Sequence, residues 1–153
     1  MRYTLCFLFD ETLENVLLLR KDRSKYAGKL NGIGGKVEKN EGPAAGAHRE
    51  IREETGVAVG LDFLNWQATI QLPAYTDSYG KDEIVFLYCY SAIVPSWVPK
   101  QQEGETEKLV WYPVKDVTYA NVDKFAGYGE VIYLVNLAHQ YYKRRNEQNG
   151  NEH

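Results

Sequence analysis

One short stretch of this chain is crowded with acids and bases: Glu41, then Arg49, Glu50, Arg52, Glu53 and Glu54. On a helix, Glu50 and Glu54 stand one turn apart and project to the same side, with Glu53 flanking them. Like charges at that spacing repel by roughly 0.2–0.5 kcal/mol per pair, so the cluster calls for compensation. A hard divalent cation provides it, because such ions take oxygen ligands from a rigid element. Mg²⁺ in particular keeps several waters and uses one or two carboxylates plus substrate phosphates. The corresponding chemistry is attack of an activated water on a phosphate chain, with a glutamate accepting the proton. On residue types alone, the cluster also reads as a solvated acidic face paired with Arg49 and Arg52.

The element that must carry these carboxylates is a helix over Pro43 to Thr55. Pro43 suits a first turn, the alanines and the Glu/Arg residues are good formers, and Gly56 provides the stop. Ala44, Ala47, Ile51 and Thr55 share a face that can be buried. Just before it, Leu30 to Val37 holds glycines at 32, 34 and 35, which permit backbone approaches closed to other residues. Tyr3 to Phe9 and Val16 to Arg20 read as an opening hairpin, followed by a charged loop over Lys21 to Lys29. Phe63 to Leu72 and Ile84 to Val94 read as strands around a polar turn from Thr76 to Asp82. Leu109 to Tyr112 is a shorter strand, with one helical turn over Pro113 to Val117. Val131, Leu134, Val135 and Ala138 have the spacing of an amphipathic helix over Tyr128 to Tyr142. The polar residues from Arg144 onward are expected to fray. Strands on both sides of a central helix, with a second helix at the end, predict an α/β fold with a mixed sheet between helices.

The 153 residues suit one domain, expected over 1–145 with 146–153 as a polar tail. The net charge of −3 argues against nucleic-acid polymers or membranes bound through a basic surface. It leaves room for an anionic small molecule held locally or by metal ions. Cys6 and Cys89 lie in apolar strands and read as buried, inert thiols without the spacing of a redox pair. The apolar run Tyr3 to Phe9 is too short for a signal peptide or spanning helix, so a cytoplasmic location is the default expectation. Oligomeric state is left open by the sequence.

The acidic segment is identified as the Nudix box: Gly, five residues, Glu, seven residues, Arg-Glu, an aliphatic, one residue, Glu-Glu, one residue, Gly, an aliphatic. Gly35, Glu41, Arg49, Glu50, Ile51, Glu53, Glu54, Gly56 and Val57 fill every specified position. The resemblance implies a Nudix-type α/β/α sandwich and Mg²⁺-dependent cleavage of a nucleoside di- or triphosphate, with Mn²⁺ able to substitute. It implies that Glu50 and Glu54 are principal metal ligands and that Glu53 is a further ligand or handles the water proton. The Gly34 carbonyl is a candidate ligand, Arg49 would hold Glu53 in place, and Glu41 and Gly56 are architectural. Many family members recruit one more acid from outside the box. Glu105 is the first candidate, with Glu103 and Glu107 as alternatives.

Tyr3-Thr4-Leu5 and Leu30 to Val37 further resemble the MutT-like, oxidised purine nucleoside triphosphate hydrolase branch. There, an Asn in the place of Asn31 contacts the base, and an amide suits a purine edge because it offers both donor and acceptor. Asn31 alternatively serves the turn before Gly32. Gly35 and Lys36 stand with it as substrate-binding candidates. The animal enzymes of that branch read the base with paired aspartates and a Trp. This chain instead has Tyr119 to Tyr128, where Asn121, Asp123 and Phe125 are the candidates. Tyr75, Tyr79 and Tyr88 could supply stacking surface, and Lys21, Arg23 and Lys25 either contact phosphates or form a charged surface loop. Alternative substrates are a nucleotide sugar, a dinucleoside polyphosphate or capped RNA. A non-catalytic nucleotide-sensing domain is the remaining alternative.

Overall fold

Apolar alternation on the first strand divides the protein into two layers. In β1 (Arg2–Phe9), Leu5, Phe7 and Phe9 enter one core and Cys6 and Leu8 the other, and all are buried. A strand buried on both faces belongs inside a sheet. The computed structural model, which describes residues 1–76, 80 and 82–151, places it there. β2 (Asn15–Arg20) pairs antiparallel on one side of β1 and β5 (Asp82–Ile93) pairs parallel on the other. β4 (Asn65–Thr76) extends the sheet beyond β5, while β3 (Leu30–Asn31) and β6 (Lys108–Pro113) both pair with β2. Among the described residues the result is a mixed six-stranded sheet.

Each face is closed by one helix. α1 (Pro43–Thr55) buries Ala47 and Ile51 against Cys6, Leu8, Leu17 and Leu19. Gly56 ends it in the left-handed region (φ 77°), its amide donating to Arg52 O. α2 (Glu130–Asn151) buries Val131, Leu134, Val135, Ala138 and Tyr142 on the other face. The Tyr142 hydroxyl reaches through that core to Ser91 Oγ and Asn65 Nδ2, both at 2.9 Å. The fold is therefore the expected α/β/α sandwich.

Two expectations are corrected. α2 begins at Glu130 rather than Tyr128, because Gly127 and Gly129 take left-handed backbones. It also continues to Asn151, so the expected frayed segment is helical. Lys143, Arg144 and Arg145 are good helix formers and extend a helix already anchored by its apolar stripe. The turn expected between Thr76 and Asp82 lies largely outside the described residues, as do Tyr79 and the Tyr75 side chain. Cys6 and Cys89 are free and buried in opposite cores, so the sheet lies between them. Burial pushes the Cys89 thiol up to about 12, which keeps it inert.

One irregularity of the sheet matters for the site. β1 and β2 are in register at Leu8–Leu17 and Phe9–Val16, and residues 33–37 line the remainder of β1. Cys6 N donates to Ile33 O (2.6 Å), Ile33 N to Cys6 O (3.0 Å), Thr4 N to Gly35 O (2.8 Å) and Val37 N to Arg2 O (2.9 Å). The glycine-rich segment therefore leaves β2 as β3 and continues along β1. Gly34 passes so close to Thr4 that any Cβ would overlap the Thr4 carbonyl, so this crossing admits no larger residue. Gly34→Ala is expected to cost about 1–3 kcal/mol of folding free energy, measured by urea denaturation. An unchanged midpoint would mean that the crossing relaxes freely.

Candidate active site

α1 begins next to this crossing, and the cluster is organised around one guanidinium. Arg49 donates from Nε and Nη2 to the two oxygens of Glu41 (2.8 and 3.0 Å), a bidentate pair. Its Nη1 reaches Glu50 Oε1 at 2.9 Å and Glu53 Oε2 at 3.3 Å, and Nη2 also donates to the Lys36 carbonyl at 3.0 Å. Glu41 accepts the Glu38 amide as well (3.0 Å). Hydrogen bonds from Arg49, then from Glu38, hold the Glu41 carboxyl down at about 2. The same pairing raises Arg49 further above its ordinary range. Glu41 thus ties the loop before α1 to the helix, the architectural part expected of it.

The remaining carboxylates differ by depth. Glu53 has half its side chain exposed, while Glu50 retains only 13%. Burial raises the Glu50 pKa, Arg49 opposes that, and Glu53 adds to it. Glu54 lies deepest: burial, then the charges of Glu50, Glu105 and Glu107, push its carboxyl up to about 8, with Lys21 opposing. Its Oε2 is buried and has no hydrogen-bond partner. An orphaned carboxylate oxygen among other carboxylates is a poor place for a lone charge and a good one for a cation. Among the described residues, no three acids, histidines or cysteines converge into a ready-made cage. Arg49 holds Glu50 and Glu53, and Glu54 retains a proton near neutrality. The donor set fits a hard divalent cation that exchanges for that proton, with Glu50, Glu53, Glu54 and the Gly34 carbonyl as candidates.

Of the outside acids, Glu107 is committed to Lys21 (3.0 Å) and to the Asp22 amide (3.3 Å). Glu103 is exposed. Glu105 acts on Glu54 more strongly than Glu107 does and remains the better candidate for an added ligand.

A cleft of about 520 Å³ runs from Glu54 through the glycine crossing to the α2 side of the sheet. Lys21, Gly34, Gly35 and Glu54 line its charged part, and Asn31 lines it as well. Its apolar walls are Leu5, Leu72, Val85 and Leu87, and Tyr26, Tyr128 and Glu130 complete it. The Lys25 ammonium sits over the Tyr26 and Tyr128 rings, 5.1 and 5.8 Å from their centroids. Asn31 Oδ1 accepts the Gly32 amide (2.9 Å), so the side chain serves the turn and also lines the cleft.

Several candidates fall elsewhere. Asn121 and Asp123 are not among the residues lining the cleft, and Asn121 donates to Asp116 O. Lys36 contributes its carbonyl to Arg49. Phe125 is buried against Tyr112 rather than offered for stacking, and Tyr88 packs on the α1-side core. What brings the 119–128 segment to the cleft is its end: Ala126 N donates to Leu30 O (2.8 Å), which seats Ala126, Gly127 and Tyr128 beside Asn31. Arg23 is exposed and pairs with Asp22, whereas Lys21 and Lys25 face the cleft.

A sheet of this topology, with an arginine-organised glutamate cluster at its glycine crossing, defines a Nudix hydrolase. The chain belongs to the Nudix family: the NUDIX domain matches residues 1–133. Within it, the chain is an enzyme of the pyrophosphohydrolase class, and Nudix hydrolases generally use divalent metal ions. It is similar to the oxidized purine nucleoside triphosphate hydrolase of mouse (Mus musculus), 31% identical over 120 residues, with 78% of this chain and 70% of that protein covered. The zebrafish (Danio rerio) protein of the same description is 28% identical over 107 residues, covering 70% and 64% respectively. The NUDIX domain of Shewanella oneidensis NrtR, solved in complex with ADP ribose, shares the fold with a TM-score of 0.68 at 18% identity, covering 93% of this chain and 88% of that one.

The Glu54 environment has a measurable sign. The folded metal-free protein favours the neutral carboxyl, so this contribution to stability is complete below about 4.5 and is lost as pH rises toward about 8. Without divalent ions, Glu54→Gln is expected to melt a few degrees above wild type at pH 8.5 and close to it at pH 4.5. Calorimetric scans at the two pH values check this. An equal offset at both would remove the ionisation of Glu54 as its cause.

Proposed function

We propose that the chain hydrolyses a purine (deoxy)nucleoside triphosphate, 8-oxo-dGTP or a related purine nucleotide, to the monophosphate and pyrophosphate with Mg²⁺, for which Mn²⁺ can substitute. One observation carries the reading: a single cleft joins the glutamate cluster to an apolar compartment edged by Asn31. Its volume suits a small-molecule site. Similarity to the mouse and zebrafish proteins supports the same substrate class.

In this reading Glu50 and Glu54 hold the metal, and Glu105 approaches from the facing loop. The bound cation would neutralise phosphate charge and make water a stronger nucleophile near neutral pH. Water supplies hydroxyl to one phosphorus, the bridging P–O bond breaks, and pyrophosphate leaves with the bridging oxygen. Glu53, the most exposed of the three helix glutamates, accepts the water proton, and Arg49 fixes its orientation. Lys21 stands at the charged end and meets the phosphate chain as a flexible cation. Leu5, Leu72 and Leu87 exclude solvent around the base, and the Asn31 amide meets its edge.

A panel of nucleoside triphosphates, nucleotide sugars, dinucleoside polyphosphates and capped RNA, assayed with Mg²⁺ and product quantification, tests the substrate. Monophosphate and pyrophosphate are the expected products, and no turnover of any nucleoside triphosphate would refute the reading. Glu53→Gln is expected to lower kcat by about 10²–10⁴-fold while nucleotide binding persists. Tight wild-type binding without turnover would identify a sensing domain instead. Because Glu54 must lose its proton, kcat/KM should rise from pH 6 to 8.5 when metal is limiting, and saturating Mg²⁺ should shift that rise to lower pH. A profile flat under both conditions would contradict it.

A further inference from the structure

The segment between β5 and β6 carries Glu103, Glu105 and Glu107 toward a helix that already gathers Glu50, Glu53 and Glu54. Like charges repel, so electrostatics alone would push this loop outward before any cation binds. The charges of Glu105 and Glu107 are nonetheless close enough to act on Glu54. Glu107 has a cation of its own in Lys21, at 3.0 Å. Around Glu105 the loop is held by a neutral side chain instead, the amide of Gln101.

Gln101 meets the main chain of this loop three times. Its Nε2 donates to the Glu105 carbonyl at 3.1 Å and to the Glu107 carbonyl at 2.9 Å. Its Oε1 accepts the Leu109 amide at 3.1 Å. One side chain thus uses both its donors and its acceptor to gather positions four, six and eight residues further along. Both ends of the loop are anchored. Lys100 N donates to the carbonyl of Thr55, the residue after Glu54, at 2.9 Å, and Leu109 lies opposite Leu19 in the β2–β6 ladder. Those anchors by themselves leave residues 102–107 free to bow into solvent. The Gln101 amide closes that freedom, and the turn inside it is made by Glu105 N to Gln102 O with Gly104 left-handed (φ 85°).

Resting on the reading above, in which Glu105 joins Glu50 and Glu54 around a divalent cation, we infer that Gln101 is a positioning residue whose side-chain amide folds the 102–107 loop so that Glu105 is presented to the metal site. Gln101 acts through Glu105 and not on metal or phosphate itself. Because Gln101 is exposed, replacing it leaves both cores intact.

Mn²⁺ is titrated into the full-length protein without nucleotide, and free Mn²⁺ is followed by electron paramagnetic resonance. Wild type, Gln101→Met, Glu105→Gln and the double variant are compared, with melting temperatures recorded for each. Gln101→Met keeps the length of the side chain and removes its donors and acceptor. It is expected to weaken Mn²⁺ binding by roughly 10-fold, the lower end for loss of a group that orients a ligand. In the Glu105→Gln background the same change should shift affinity by no more than about two-fold, since the pathway is already cut. Gln101→Asn, an amide one methylene too short for all three bonds, should show the same dependence on Glu105, and it replaces Gln101→Met should that variant fold poorly. Equal losses in both backgrounds would mean that Gln101 acts elsewhere and would overturn the inference, as would unchanged affinity in Gln101→Met or in Glu105→Gln. Failure to hydrolyse any triphosphate would refute the proposed reaction alone, because the Mn²⁺ comparison needs no substrate and still decides Gln101.

Discussion

Arg49 is the constraint on which the rest depends. It sits partly buried among Glu38, Glu41, Glu50 and Glu53, within 3.7 Å of each. Without it, these acids would repel each other and α1 would start with a loose loop. With it, the Lys36 carbonyl and Glu41 are fixed to the helix, so the glycine crossing and the carboxylates move as one body. Lysine could supply the charge but not the planar fork that meets both Glu41 oxygens while still reaching Glu50. Arg49 satisfies Glu41, shares itself with Glu50 and Glu53, and leaves Glu54 unsatisfied. That gradation sets apart the carboxylate most in need of a cation.

The sheet supplies the second constraint. Residues 33–37 occupy the edge of β1 that β2 relinquishes, and this lets a single cleft communicate with both layers. The α1 layer contributes charge, and the α2 layer contributes shape and an acid of its own. A continuous β1–β2 ladder would have sealed one layer from the other. The glycines are therefore part of the site's geometry and more than spacers before the helix.

Much of this was legible in the chain because it is local. The helix over Pro43–Thr55, its Gly56 stop and the same-side projection of Glu50 and Glu54 follow from spacing within a few residues. The strand over Tyr3 to Phe9 and its hairpin with Val16 to Arg20 follow from short β-rich apolar runs around a polar turn. What escaped reading was long-range. Nothing near Glu130 marks it as cleft-lining, because its neighbours there come from β1, β4 and β5. Asn121 and Asp123 carry the right chemistry, but the turn on which they sit carries them away from the cleft, and Ala126 and Tyr128 come to it. The end of α2 was misread for the opposite reason. Polar composition resembles fraying when the buried stripe that anchors the earlier turns is left out of account.

The parallel pairing of β1 with β5 carries a kinetic implication. Thr4 lies opposite Tyr88 and Leu5 opposite Cys89, so the central ladder joins segments far apart along the chain. Closing so large a loop is slow compared with forming α1 or the β1–β2 hairpin. Cleft walls from β1 and β5 cannot face each other until it closes. Catalytic competence should therefore emerge late in refolding, after most helical signal has returned, which makes turnover a stringent reporter of complete chain closure.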